Sequence, residues 1–225
     1  MDDQILRLIG ILSDSFLPLL KAGLMFTVPL ALISFALGLV LAFLTALARI
    51  SSSKVLQSIS RFYVWLIRGT PLLVQLFIIF YGLPGIGVTL NAFLSAVIGF
   101  TLNVGAYNSE TIRAAIQSID KGQWEASKAI GLSRASTLRY VVLPQALRVA
   151  IPPLSNSFIG LVKDTSLAAA ITVTEMFQVA QQITARTYEP LWLYLEAAFI
   201  YLIFCSVLTH LQGKLEAYSG KHLAT

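Results

Sequence analysis

Charged residues are scarce in this 225-residue chain: 12% are Asp, Glu, Lys or Arg, against about 25% in an average soluble domain. Cysteine is scarcer still. Cys205 stands alone, so an intrachain disulfide and a Cys-x-x-Cys metal or redox motif are both excluded. The two histidines, His210 and His222, do not form a His-Glu-x-x-His pattern, which removes the common zinc-hydrolase signature. A Gly-x-x-x-x-Gly-Lys-Ser/Thr phosphate loop is missing too, so the chain does not carry that ATPase motif. What is abundant is apolarity: 56% hydrophobic residues and a mean hydropathy of +0.77. These values exclude an ordinary soluble domain and a disordered chain alike. They predict an all-α integral membrane protein. At roughly 20 apolar residues per helical span, the length suits about five transmembrane helices in a single domain, residues 1–225, with no room for a separate soluble catalytic domain.

Five runs fit that expectation: residues 24–48, 62–82, 93–115, 146–170 and 191–211. The first is too long for a signal-peptide core, which needs about 7–15 apolar residues. The second is interrupted at Arg68-Gly69-Thr70-Pro71, which predicts a kink. Residues 1–21 place Ile5, Leu8, Ile9, Leu12 and Phe16 at near-helical spacing, as in a short interfacial helix. The basic residues then orient the chain. Arg49, Lys54 and Arg61 lie between spans one and two, and Lys121, Lys128, Arg134 and Arg139 between spans three and four. Lysine and arginine are retained on the cytoplasmic side. The amino terminus is therefore expected outside and the carboxyl terminus in the cytoplasm. The net charge of +5 is read as basic loops next to membrane lipid, with no nucleic acid as partner.

The loop at residues 120–144 is the most informative segment. Asp120 is a good helix N-cap, and Gln123 three residues on is compatible with a capping box. Gly131 is a natural stop and Ser133 caps a second helix. A short helix of about ten residues results, roughly 15 Å long, with Trp124, Ala126, Ala129 and Ile130 as its apolar and small residues. On shape alone such a helix lies on lipid or docks into a groove on a partner.

The spacing of the loop is distinctive. Glu125-Ala126-Ser127, three residues, Gly131, nine residues, Val141, one residue and Leu143-Pro144 resembles the EAA loop of ABC importer permeases. Ser127 and Val141 depart from the family pattern by small changes in volume. Arg68-Gly-Thr-Pro-Leu-Leu-Val-Gln75 with Tyr81-Gly-Leu-Pro84, and Pro152-Pro-Leu-Ser-Asn-Ser-Phe158 leading to Lys163-Asp-Thr-Ser-Leu167, resemble the permeases of polar amino-acid importers. The wording around Ile119–Ala126 is most similar to cystine permeases. The resemblance implies a type I importer fold with a cytoplasmic coupling helix in a bacterial inner membrane. It implies a second permease subunit (a homodimer is favoured), a dimeric ATPase that binds ATP and Mg, and an extracytoplasmic amino-acid-binding protein. This chain itself then needs no cofactor, no metal and no catalytic residue. Asp120, Trp124, Glu125, Ala126 and Gly131 are the expected coupling residues.

Polar groups inside spans are the pathway candidates, because a charge at the bilayer centre costs at least about 2.5–3.5 kcal/mol and needs a partner or water. Glu110 has Arg113 at i+3, so it forms a structural ion pair or meets a substrate ammonium; Asn103 and Tyr107 share its helical face. Pro152-Pro153 predicts irregular backbone in span four, with Ser155 and Asn156 beside it. Asp164 and Thr165 follow, and Gln75 lies beyond the kink of span two. Transport of cystine is the leading reading, with arginine, histidine or glutamine as alternative substrates. A membrane enzyme would need a nucleophile with a nearby base or a metal, and the intramembrane serines are scattered along the spans without assembling such a set. A channel has no need of a capped docking helix.

Overall fold

The computed structural model describes residues 2–220, and among these every regular element is helical. The elements are α1 (Asp2–Ala22), α2 (Val28–Ile50), α3 (Lys54–Arg68), α4 (Leu72–Phe77), α5 (Ala92–Gln117), α6 (Lys121–Ala129), α7 (Arg134–Thr137), α8 (Leu143–Asp164), α9 (Met176–Thr187) and α10 (Pro190–Gly220).

Three π-helical turns connect some of them: Gly23–Thr27, Ile78–Gly82 and Leu138–Val142. Each ends two residues before a proline, namely Pro29, Pro84 and Pro144. The residue in front of each proline donates its N–H five residues back: Val28 to Gly23, Leu83 to Ile78, Leu143 to Leu138. Proline has no N–H, and its ring crowds the carbonyl four residues earlier. The preceding turn widens to relieve that crowding, which is how π turns enter α-helices.

The first π turn leaves α1 and α2 as one helical stretch, Asp3–Ile50, of 48 residues. Residues 1–21 are thus continuous with the first span in their described part, where a separate interfacial helix was expected. This stretch and Pro190–Ala217 are each long and apolar enough to cross a membrane. Two bent pairs pass the same test together: Lys54–Arg68 with Leu72–Ile86, at 102°, and Arg134–Ile171 with Met176–Thr187, at 49°. The run 62–82 therefore straddles a sharp turn. Gly69 N–H bonds to Trp65 O at 2.9 Å to end α3, and Pro71 caps α4. Helix α5 has the length for a span, 26 residues, but carries Asn103, Asn108, Glu110 and Arg113. It is largely buried: Phe100, Ala106 and Ser109 are inaccessible and Asn108 nearly so.

Pro152-Pro153 was expected to break span four. Instead α8 runs through both prolines from Leu143 to Asp164. Two hydrogen bonds, to the carbonyls of Arg148 and Val149, are forfeited. Those two residues are exposed, and the fixed φ of proline is itself helical.

The chain forms two compact units. The first takes the described parts of Met1–Phe35, Pro71–Phe100 and Ile159–Thr209. Its core is Leu19, Met176, Ala180, Ala197 and Ile200, with Tyr201 and Phe204 packed against it. Ser15 Oγ donates to Glu196 Oε2 at 2.5 Å, which ties α1 to α10. The second unit takes the described parts of Ala36–Thr70, Thr101–Phe158 and His210–Thr225. Its core is Ala115, Ile116, Val142, Ala146 and Ala150, and Trp124 packs on it from α6. Gly105 lets α2, α3 and α5 approach closely: a Cβ there would lie 2.7 Å from Tyr63 Oη and 2.8 Å from Leu41 Cγ. Tyr63 Oη also donates to Leu102 O at 2.6 Å.

Candidate functional site

Helix α6 is fixed at both ends by local chemistry. Asp120 Oδ1 accepts from Gly122 N at 2.7 Å, so one orphan donor of the first turn is satisfied. At the other end Gly131 has φ +83°. Gly131 N bonds to Lys128 O and Leu132 N to Ser127 O, both at 3.0 Å. This is the paired bonding of a Schellman motif, with glycine at the left-handed position. Ser133 then caps α7 through Ser136 N at 3.2 Å. The capping box does not form: Gln123 Oε1 accepts from Gln145 Nε2 at 3.4 Å instead, so a tertiary contact takes the side chain. Ser127, where the family pattern has alanine, is buried and donates to Gln123 O at 2.7 Å.

The faces of α6 are therefore unequal. Trp124 is turned to the core of the second unit, whereas Glu125, Ala126, Lys128 and Ala129 are exposed. Ile130 is 77% exposed, a large apolar side chain in the open at the end of a rigid helix. Glu125 makes no hydrogen bond or ion pair among the described residues. An exposed acid, small residues and an apolar tip thus share the open side of the helix.

Glu110 is the centre of an arginine cluster. Arg113 Nη2 lies 2.7 Å from Oε2 and Arg113 Nε 3.0 Å from it; Arg49 pairs with Oε1, and Arg68 Nη1 is 3.6 Å from Oε1. Both carboxylate oxygens are engaged by guanidinium groups. That arrangement favours the structural pairing over contact with a substrate ammonium. Tyr107, one turn earlier, is exposed and has Arg68 Cζ 5.1 Å from its ring centre, within cation–π range. Asn103 is half-buried on the same face of α5.

The other pathway candidates are distributed as follows. Ser155 is half-buried in α8, and Asn156 is exposed and accepts from Gln212 Nε2 at 3.1 Å. These two, with Asn103, Tyr107 and Glu110, belong to the second unit. Gln75, Asp164 and Thr165 belong to the first. Gln75 is buried, and Asp164 is exposed. Thr165 is inaccessible and donates to Val162 O at 2.7 Å. A cavity of about 540 Å³ in the first unit is lined by Lys163, Ser166, Tyr194, Tyr201 and Cys205.

Sequence reasoning missed Glu175. It is fully buried and caps α9 by accepting from Gln178 N at 2.6 Å, and Tyr201 Oη donates to it at 2.9 Å. The signal was local: an acid directly before the helical run Met176–Thr187.

With that geometry in hand, the relatives of the chain are informative. Residues 36–217 match the family model described as binding-protein-dependent transport system inner membrane component. The L-cystine transport system permease protein TcyB of Bacillus subtilis is 54% identical over 215 residues, which cover 95% of this chain and 92% of that one. A probable amino-acid ABC transporter permease protein of the same organism, YckA, is 41% identical over 90% of this chain and 89% of that one. Among solved structures, a chain of an amino acid ABC transporter crystallised with histidines is 34% identical, with a TM-score of 0.85 over 90% of this chain and 95% of that one. The chain belongs to the family of inner-membrane components of binding-protein-dependent transport systems. Its fold is that of the ABC importer permeases.

Proposed function

We propose that this chain is the permease subunit of an ATP-driven importer of polar amino acids, with L-cystine as the substrate. The supporting observation is the rigidly capped helix α6, held by Asp120 and Gly131 with its outer face open, in a chain 54% identical to a cystine permease. In this reading hydrolysis belongs to a dimeric ATPase subunit that binds ATP and Mg. The exposed Glu125, Ala126 and Ile130 meet a groove on that subunit, while Trp124 passes its movement into the core around Ile116 and Val142. A second copy of the permease completes the membrane core, and an extracytoplasmic binding protein delivers the amino acid. The basic loops support a cytoplasmic α6 and an amino terminus outside.

In the second unit the substrate path runs along the polar residues of α5 and α8. Asn103, Tyr107, Ser155 and Asn156 supply uncharged hydrogen-bonding groups. Gln75, Asp164 and Thr165 are the candidates from the other unit. Glu110 holds the arginines in place. The alternative substrates are arginine, histidine and glutamine. Uptake into proteoliposomes carrying this chain, its ATPase and its binding protein, compared over cystine and those three amino acids, tests the assignment. Accumulation of cystine above the others is expected; preferential accumulation of another overturns the substrate.

A further inference from the structure

One cavity in the second unit is walled by cations without an acid among them. It measures about 430 Å³ and gathers Arg49, Arg61, Arg113, Lys121 and Arg134 around Trp124. Five helices contribute: α2, α3, α5, α6 and α7. Two of these cations, Arg49 and Arg113, are compensated by Glu110, one carboxylate that they share with Arg68. Arg61, Lys121 and Arg134 form no ion pair among the described residues. Arg61 donates to Gln57 Oε1 at 3.1 Å, and Arg134 donates to Ser52 Oγ and Ile50 O, each at 3.3 Å. Arg49 Nε is buried with no hydrogen-bond partner.

Cations held this close repel one another, and the repulsion grows where water is thin. A polyoxygen anion relieves it, and guanidinium forks match phosphate oxygens in geometry as well as charge. Ile50, Ile116 and Ile119 flank the cations, and Gln117, which accepts from Arg113 Nη1 at 2.7 Å, is the one uncharged polar side chain of the lining besides the Trp124 indole. The helix that brings Arg61 also presents Val55, Ile59, Phe62 and Trp65 outward, each more than 60% exposed. Their spacing makes one apolar stripe along α3. A phosphate pocket beside an outward apolar stripe fits a molecule with an anionic head and acyl tails. We infer that this cavity binds the phosphate headgroup of an anionic phospholipid, with its acyl chains along the exposed face of α3. Basic pockets between membrane helices are suited to such headgroups. Because Lys121 and Trp124 lie on α6, the bound lipid joins the coupling helix to α2, α3 and α5. The inference rests on the geometry of the second unit and is independent of which amino acid is carried.

The test uses the purified full chain in nanodiscs of phosphatidylcholine with a minor fraction of phosphatidylglycerol, and counts retained lipids by native mass spectrometry. Retention of phosphatidylglycerol over phosphatidylcholine by about tenfold is expected, as is a drop of roughly fivefold for each cation removed. The double variant Arg61→Gln/Arg134→Gln removes two cations that do not touch Glu110, and its thermal midpoint reports whether it folds. Lys121→Gln alone carries the same test should the double variant fail to fold. Equal retention of the two lipids overturns the inference, as does full retention by a folded variant. Displacement of the lipid by inorganic phosphate at equal concentration would assign the site to a free anion. Loss of the lipid when the ATPase binds, with cross-links from Lys121 to an acidic segment of that subunit, would assign it to the partner.

Discussion

Replacing Gly131 separates a backbone cost from a steric one. The residue has φ +83°, and nothing lies within 4 Å of a Cβ built there. Alanine would therefore meet no clash and bear only the cost of a left-handed conformation, about 1–2 kcal/mol for an L-residue. That is a factor of about 5–30 in a local opening equilibrium. Asparagine tolerates the left-handed region better, so Gly131→Asn should lose least, and a β-branched Gly131→Val should lose most. The amides that report the change are those of Gly131 and Leu132, which close the cap onto Lys128 O and Ser127 O. Hydrogen exchange at these two positions should quicken by about 5–30-fold in Gly131→Ala. The effect should fall off toward Gly122, whose amide is held by Asp120 at the other end of α6. ATPase stimulation in the reconstituted transporter should decline in the order Asn, Ala, Val. Equal effects of all three, or Asn worse than Ala, would refute the argument from backbone conformation.

Other perturbations follow from the same geometry. Glu110→Gln leaves Arg49, Arg68 and Arg113 without their shared anion and should lower stability by roughly 3 kcal/mol, read as a fall in Tm in detergent. Gly105→Ala forces a Cβ against Tyr63 Oη and Leu41 and should cost about 1–3 kcal/mol; a change below a few tenths in a denaturation midpoint analysis would contradict the packing described. Glu175→Ala removes the cap of α9 and strands the Tyr201 hydroxyl. A loss of about 2 kcal/mol is expected, and Tyr201→Phe in the same background should restore part of it.

The sequence made some of this legible because the signals were local. Asp120, Gly131 and Ser133 mark helix ends by their own chemistry, and all three cap where expected. The EAA spacing, carried within the single segment 125–144, led to the family that the relatives show. What escaped required tertiary knowledge. Arg113 is visible as a partner of Glu110 at i+3, but Arg49 and Arg68 come from helices distant in sequence. Gln123 looked like a capping residue until Gln145, on α8, competed for it. Proline was read as a helix breaker, yet its effect depended on the turn before it. Pro29, Pro84 and Pro144 follow π turns, while Pro152-Pro153 sit inside a continuous helix. Burial of Glu175 could not be seen from composition, because it depends on tertiary packing: Tyr201 of α10 bonds to it, and Leu19 of α1 packs with Met176 and Ile200 in the same unit.

In the proposed transport cycle α6 is moved by a separate ATPase. The direct measurement is disulfide trapping between Glu125→Cys, in a Cys205→Ser background, and single cysteines across the groove of the ATPase in the assembled transporter. A cross-link that forms at α6, depends on nucleotide state and stops ATP-driven uptake until it is reduced is the predicted result. Unrestricted uptake by the assembled transporter, with Glu125→Cys reactive only toward reagents in the lipid phase, would contradict it.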